Sequence, residues 1–288
     1  MKDDFYNNYE KEINSFIDLA IKEDLGDVDH SSKATLSNKL EKKATLIIKE
    51  NCIIAGIELS KSIFKKHDKS LKFTCIFKDG QEIESGTEVF IVEGKGYSIL
   101  AMERLVLNCI QRMSGIATLT NKFNKIISHT DCKLLDTRKT TPNFRYPEKW
   151  AVVIGGGYNH RMGLYDALMI KDNHIDFCGG INFALDKTKK YLSGLKRKYN
   201  VIVETRNLKE VKEVLNYSFV NRILLDNMDI PSLIGAVSLV DNKIPTEASG
   251  NITESNILSI AETGVNYISL GCLTYSAKPI DISLQACE

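Results

Sequence analysis

Residues 201–228 read VIVETRNLKEVKEVLNYSFVNRILLDNM. The apolar triplet Val201–Val203 ends in a polar tip, Glu204-Thr205-Arg206. A helical stretch, NLKEVKEVLNY, follows, and Ile223–Leu225 then ends in Asp226-Asn227-Met228. Strand, polar tip, helix and strand again is the pattern of a parallel βα unit. The pattern extends in both directions. Upstream lie Lys133–Asp136 (KLLD, then TRK) and Ala167–Ile170 (ALMI, then KDNH). Downstream lie Ile244–Ala248 (IPTEA, then SGN) and Tyr267–Leu270 (YISL, then GCL). From the third run onward the spacing is about 21–23 residues, with INFALDKTKKYLSGLKRKY, IPSLIGAVSLV and ESNILSIAETG as further helical stretches. Six such units predict an incomplete (β/α) barrel more than an open doubly wound sheet. No G-x-G-x-x-G follows a strand, which weakens a dinucleotide-binding reading.

The first part of the chain has another rhythm. Ile13, Phe16, Ile17 and Ile21 place an amphipathic helix over 9–24. Three β-rich runs follow, at 43–56, 71–78 and 87–93, with turns at Asp79-Gly80 and Gly94-Lys95-Gly96. A long apolar helix is predicted over about 98–113, with Ser114-Gly115 after it and a further helix over about 116–129. The fold class expected is α/β: an N-terminal α/β domain over 1–115 and a C-terminal incomplete barrel over 116–288, the last ~12 residues free to pack back on the first domain.

Composition narrows the function classes. Lysine plus arginine is 38 and aspartate plus glutamate 37, a net charge of +1, so the basic excess of a general nucleic-acid binder is missing. With 43% hydrophobic and 26% charged residues the chain is globular in composition. Seven cysteines, an odd count with no C-x-x-C pair and several inside apolar runs, read as reduced thiols rather than a zinc site or disulfide framework. The N-terminal MKDDFYNNYEKEINSF has no apolar secretory core, and no apolar run reaches the ~18 residues of a membrane helix. A cytoplasmic protein without membrane or nucleic-acid partners is expected.

Barrel chemistry sits at the C-terminal tips of the strands. Here the tips carry Arg138 and Lys139, Lys171, Glu204, Asp226, Ser249-Gly250 and Gly271. One such lysine would read as a solvated rim charge; six tips with complementary chemistry read as a site. Between Arg138 and Lys171 six cations face only Glu148 and Asp166, around Gly155-Gly156-Gly157. Arginine forks suit carboxylate and phosphate, so a polyanion is the expected ligand; a basic solvated loop is the bland alternative. Ser249-Gly250-Asn251 and Gly271 lie where barrels often bind phosphate, or are ordinary βα turns. Glu204 and Asp226 on neighbouring strands suggest Mg²⁺ or sugar hydroxyls, or else a salt-bridge network with the nearby cations. His160, between Asn159 and Arg161, falls in the basic segment; His174 reads either way; His67 and His129 read as surface residues and Trp150 as packing.

The stretch LLDTRKTTPNFRYPEKWAVVIGGGYNHRMGLYDALMIKDNH closely resembles the central signature of the quinolinate phosphoribosyltransferases. EDLGDVD, ERLVLNCIQRMSGIATLT, VIVET, ILLDNM, EASGNI and GVNYISLGCLT agree in order, so the likeness runs from about residue 23 to 284. The resemblance implies an N-terminal α/β sandwich and a C-terminal incomplete barrel. It implies Mg²⁺-dependent transfer of phosphoribosyl from phosphoribosyl pyrophosphate to quinolinate, giving nicotinate mononucleotide, diphosphate and CO₂. It further implies a homodimer in which Arg104 is donated to the neighbour's site. Arg138, His160 and Arg161 match positions that hold the quinolinate carboxylates. Lys139 and Lys171 match lysines at the ribose phosphates and diphosphate. Glu204 and Asp226 match acids at the ribose hydroxyls and metal, and Ser249, Gly250 and Gly271 match the 5′-phosphate site.

Three positions depart from the family pattern. Tyr275 stands where many bacterial members carry histidine, Asn143 where glycine is common, and Arg206 where an acid is common. Tyr275 brings no cation at neutral pH; Asn143 tolerates left-handed backbone. Competing readings are a phosphoribosyltransferase-like paralogue associated with molybdate transport, a Schiff-base aldolase using Lys139 or Lys171, and a phosphosugar sensor without turnover.

Overall fold

A computed structural model describes residues 4–37 and 40–287. The chain divides into two compact units. The first is drawn from the residues up to Asn121, from Lys139–Gly156 and from Cys272 onward; the second comprises Lys122–Arg138 and Gly157–Gly271.

In the first unit the chain forms β1 (Glu41–Ile48), β2 (Cys52–Ile53), β3 (Lys72–Cys75), β4 (Glu82–Ile83) and β5 (Glu88–Lys95). β1 pairs antiparallel with β5, β5 with β3, and β2 with β4. Leu46 and Phe90 are cross-strand partners and are fully buried. Phe90 meets Phe73, and Phe73 meets Phe64 of the helix Ile57–His67, with ring centroids 4.4 and 6.0 Å apart. The predicted amphipathic helix is Glu10–Leu25, whose Ile13 and Ile17 are fully buried. Trp150 packs as expected, stacked on Phe5.

The two helices expected on either side of Ser114-Gly115 are one, Gly96–Ile126. A mid-helix glycine costs about 1 kcal/mol against alanine, and packing offsets it. The Ser114 hydroxyl accepts the Ala55 N–H at 3.1 Å and donates to the Ala55 carbonyl at 3.2 Å. A Cβ on Gly115 would overlap the Lys278 carbonyl oxygen. The residue that reads as a break is a close approach of backbone to backbone.

The second unit holds β6 (Lys133–Leu135), β7 (Ala167–Ile170), β8 (Asn200–Thr205), β9 (Arg222–Asp226), β10 (Thr246–Ser249) and β11 (Tyr267–Ser269), the six strands predicted. All pair in parallel, in the order β6-β11-β10-β9-β8-β7. Helices fill the crossovers on the outer face and side chains of the strands fill the inner one, so β8 is buried from Val201 to Thr205. The edge strands β6 and β7 do not pair with each other among the described residues, so the barrel is open. Tyr158 forms a parallel bridge to Leu135 at that edge.

Side chains two residues apart on a strand share a face. Ala167, Met169, Ile202 and Leu224 form one apolar cluster across β7, β8 and β9. Two residues further along the same face stand Lys171, Glu204 and Asp226. The sheet register sets Ser249 beside Asp226, and Ser269 beside Ser249. The first unit is completed by β12 (Ile282–Cys287), which pairs antiparallel with β1 from Lys43↔Cys287 to Ile48↔Ile282.

Candidate active site

The apolar floor of β7–β9 ends in a charged rim. Glu204 is 8% exposed, while Lys171 is exposed at the start of the helix Asp172–Cys178. Burial pushes the Glu204 carboxyl above its ordinary range. The charge of Asp226 pushes the same way, and Lys171 opposes both. Glu204, Asp226 and Asp172, which also raises the Glu204 carboxyl while its N–H opposes, thus share one electrostatic environment with Lys171. The Lys171 N–H donates to His174 Nδ1 at 3.0 Å, so His174 caps the helix that carries Lys171.

Asp226 is fixed through Asn227. The Asn227 amide donates to Asp226 Oδ2 at 2.8 Å, and its oxygen accepts from Asn251 at 2.9 Å. Asn227 N–H also donates to the Ser249 carbonyl at 2.8 Å. Asn227 and Asn251 both take left-handed backbone, φ +53 and +51. Gly250, at φ +94, lies so close that a Cβ would overlap the Asn227 side chain. Tips β9 and β10 are therefore locked together, with Ser249 and Gly250 on the open side of Asp226. Gly271 follows β11 and is partly exposed.

The cationic end of the unit is built around Asp136, which follows β6 and is fully buried. Its carboxylate accepts from Asn159 Nδ2 at 2.5 Å and from the His160 N–H at 2.8 Å. The Asp136 N–H in turn donates to the Tyr158 carbonyl. The next turn is pinned by Asp166, which accepts the N–H groups of Met162 and Gly163 at 2.7 and 2.9 Å. Between these anchors Arg161 reaches the Ala167 carbonyl with Nη1, 3.2 Å away. Burial, then the like charge of Arg138, push the Arg161 guanidinium below its ordinary range, and Asp166 opposes them. Arg138 is exposed and makes no hydrogen bond or ion pair among the described residues. Two arginines that repel each other, one of them unpaired, form a place for an anion.

His160 lies among protein groups. Its side chain is 7% exposed. Nδ1 accepts the Arg161 N–H at 2.7 Å, and Nε2 faces Glu247 Oε2 at 3.4 Å. Both nitrogens thus point at protein. Asp136, Glu247 and Arg222, which organise this region, were not candidates from sequence, although Asp136 closes the quoted KLLD run.

Lys139 belongs to the first unit and is exposed. Its carbonyl accepts from Thr274 Oγ1 at 2.7 Å. Its loop is held by Glu148, which is fully buried and accepts from Thr141 N–H and Oγ1 and from Arg112 Nη2. Arg112 also donates to the carbonyls of Ala277 and Thr274. Arg104 is exposed on the helix Gly96–Ile126 and makes no hydrogen bond or ion pair among the described residues.

The family models for the quinolinate phosphoribosyl transferase N-terminal and C-terminal domains match residues 29–114 and 116–285. This chain belongs to the quinolinate phosphoribosyltransferase family. It is 46% identical to quinolinate phosphoribosyltransferase [decarboxylating] 1b of Nicotiana tabacum over 289 residues, 95% of this chain and 82% of that protein. It is 39% identical to a probable nicotinate-nucleotide pyrophosphorylase [carboxylating] of Bacillus subtilis, over 91% of this chain and 89% of that one. The solved nicotinate-nucleotide pyrophosphorylase of Francisella tularensis is 38% identical, with a TM-score of 0.88 over 96% of each chain.

Against the family pattern, the three departures sit as follows. Asn143 takes φ +62, the left-handed backbone that asparagine tolerates. Arg206 is bound to Glu210 and Asp176, its Nη1 2.9 Å from Asp176 Oδ1. Tyr275 is exposed. Among the described residues no helix is long and apolar enough to cross a membrane, and all seven cysteines are free.

Proposed function

We propose that this enzyme transfers the phosphoribosyl group of phosphoribosyl pyrophosphate to quinolinate, with decarboxylation, as a step of NAD biosynthesis. The observation that carries the reading is the arrangement of the second unit. Lys171, Glu204, Asp226 and Ser249 continue one sheet face, and the paired cations Arg138 and Arg161 follow the strand at the sheet's edge. A ribose with phosphates suits the first group, and a pyridine with two carboxylates suits the second.

In this reading Arg138 and Arg161 bind the quinolinate carboxylates. Ser249, Gly250 and Gly271 take the 5′-phosphate, and Lys139 and Lys171 take the diphosphate. The C1–O bond to diphosphate breaks as the pyridine nitrogen bonds to C1. Positive charge grows on the ribose, and Glu204 and Asp226 stabilise it electrostatically. The ring nitrogen is cationic after transfer. The 2-carboxylate then leaves as CO₂, and the nitrogen stabilises the electron pair left on carbon until a proton replaces it. Positioning and charge neutralisation supply most of the acceleration.

Glu204 and Asp226 also suit Mg²⁺. Mg²⁺ is typically held by one or two carboxylates with substrate phosphates and water rather than by an all-protein cage. Among the described residues no group of three or more His, Cys, Asp or Glu side chains is placed to hold a metal alone. The ion would neutralise the departing diphosphate. Arg104, exposed and unpaired, suits donation to the site of a second copy in a homodimer. Free cysteines suit a reducing compartment such as the cytoplasm.

The test is a reaction of purified protein with phosphoribosyl pyrophosphate, Mg²⁺ and quinolinate, with nicotinate as the control acceptor and EDTA as the metal control. Nicotinate mononucleotide from quinolinate alone, lost with EDTA, is expected. Binding of phosphoribosyl pyrophosphate without product from either acceptor would refute the reading and favour a sensor.

A further inference from the structure

Beneath the anion-binding arginines lies a polar network that none of the assigned roles uses. Glu247, in the middle of β10, is fully buried. Its Oε2 accepts from Arg222 Nη1 at 2.8 Å and lies 3.4 Å from His160 Nε2. Its Oε1 has no hydrogen-bond partner among the described residues, and neither has His160 Nε2. The Arg222 guanidinium stacks over the Tyr267 ring, 4.2 Å from the centroid. Arg222, Glu247 and Tyr267 share the sheet face of the site, because Glu247 is in register with Leu224 and with Tyr267.

This geometry decides the protonation pattern of His160. A backbone N–H can only donate, so the 2.7 Å contact from Arg161 makes His160 Nδ1 an acceptor. In the neutral ring the proton then sits on Nε2, facing the Glu247 carboxylate. Burial alone would raise the Glu247 carboxyl, but His160 and Arg222 outweigh it and hold it below its ordinary range. A buried carboxylate with one oxygen bound to Arg222 and one orphaned favours a donor rather than a lone pair on the ring nitrogen 3.4 Å away. The requirement travels outward: Nε2–H fixes the tautomer, the tautomer leaves Nδ1 free to accept, and Nδ1 holds the Arg161 amide. The Arg161 backbone is thus set from inside the sheet, while its side chain faces the anion.

We infer that Glu247 is a positioning residue for quinolinate: with Arg222 it locks His160 in the Nε2–H form, and so fixes Arg161 in its carboxylate-binding pose. The inference rests on the reading above for the identity of the anion, but the tautomer does not. Asp136 accepts the His160 backbone N–H and so anchors the main chain from which the ring projects.

The first measurement is the ¹⁵N shifts of the His160 ring in ¹⁵N-histidine-labelled wild-type protein, assigned by loss of the signals in His160→Asn. The Nε2–H form is expected; an Nδ1–H or doubly protonated ring at neutral pH overturns the inference, whatever the enzyme's substrate. The second is kinetic. Arg222→Met with Glu247→Met replaces the buried pair by apolar side chains of similar length. It should populate the Nδ1–H form and raise the KM for quinolinate about tenfold or more. The kcat and the KM for phosphoribosyl pyrophosphate should stay within about threefold. Glu247→Gln keeps an acceptor for the N–H and should recover most of the loss. An unchanged quinolinate KM despite a changed tautomer would overturn the positioning role. So would equal losses for both substrates. If the double variant does not fold, the wild-type ring shifts and the Glu247→Gln kinetics decide. Failure of wild type to use quinolinate at all would instead refute the proposed function.

Discussion

Gly250→Ala tests how the phosphate-side tips are locked. Gly250 sits at φ +94, where a side chain strains the backbone by about 1–3 kcal/mol. The new methyl would also overlap the Asn227 side chain. Asn227 must then move, giving up its bonds to Asp226 and from Asn251, about 1 kcal/mol each. The sum is about 3–5 kcal/mol, which corresponds to at least roughly 100-fold in an equilibrium constant. Some of this falls on folding, at about 2–4 °C of Tm per kcal/mol. The rest falls on the ligand that uses Ser249, Gly250 and Asp226. The assay is initial rate against each substrate, with Tm from differential scanning calorimetry. We expect the KM for phosphoribosyl pyrophosphate to rise at least tenfold and that for quinolinate to change less than about twofold. A second arm isolates the overlap: in an Asn227→Gly background, Gly250→Ala should cost about 1–2 kcal/mol less than in the native one. A Gly250→Ala protein with native Tm and native KM for phosphoribosyl pyrophosphate would refute the reasoning.

Three further outcomes are expected. Arg138→Ala should raise the quinolinate KM at least tenfold while Tm stays within about 2 °C, because Arg138 is exposed and unpaired; titration and calorimetry check both halves. Gly115→Ala should destabilise by about 2 kcal/mol or more despite alanine's better helix propensity, since its methyl would overlap the Lys278 carbonyl; urea unfolding reads this. Asp79, partly buried against the start of the helix Ile57–His67, is pushed up to about 6, chiefly by desolvation, although three backbone N–H groups oppose it. The folded state therefore holds this proton more tightly than the unfolded chain. Stability should fall, by at most about 3 kcal/mol, as pH rises from about 4 to above 6, and Asp79→Asn should flatten that slope in urea titrations across the range.

Much of the second unit is legible along the chain, and the reason is physical. Parallel strands are buried on both faces, so each is a short apolar run, and the runs of β7, β8 and β9 lead into the residues proposed for the site. Lys171, Glu204 and Asp226 could be read from their place after such runs. Asn143 could be read from its type, since left-handed backbone selects asparagine. Glu247 and Arg222 could not be read, because their partners come from other strands and only the register brings them together. His160 was placed near the anion for its position in a basic segment; that its ring faces inward depends on Glu247. Glu148 and Lys149 counted as charges in that segment, yet both are fully buried in the helix Arg145–Ile154. Gly115 reads as a helix end until the Lys278 carbonyl beside it is known.

The strand Ile282–Cys287 lies beside Glu41–Ile48, across more than two hundred residues of sequence. As the chain emerges from a ribosome, Glu41–Ile48 has one open side until Ile282–Cys287 has also been made. An unpaired apolar edge is a template for pairing with other chains. A nascent or prematurely stopped polypeptide is therefore exposed to aggregation for most of its synthesis. The second unit's six strands, by contrast, lie between Lys133 and Ser269 and have all been made before the last strand appears. Deletion of Ile282–Cys287 should harm yield and solubility without removing any residue assigned to chemistry.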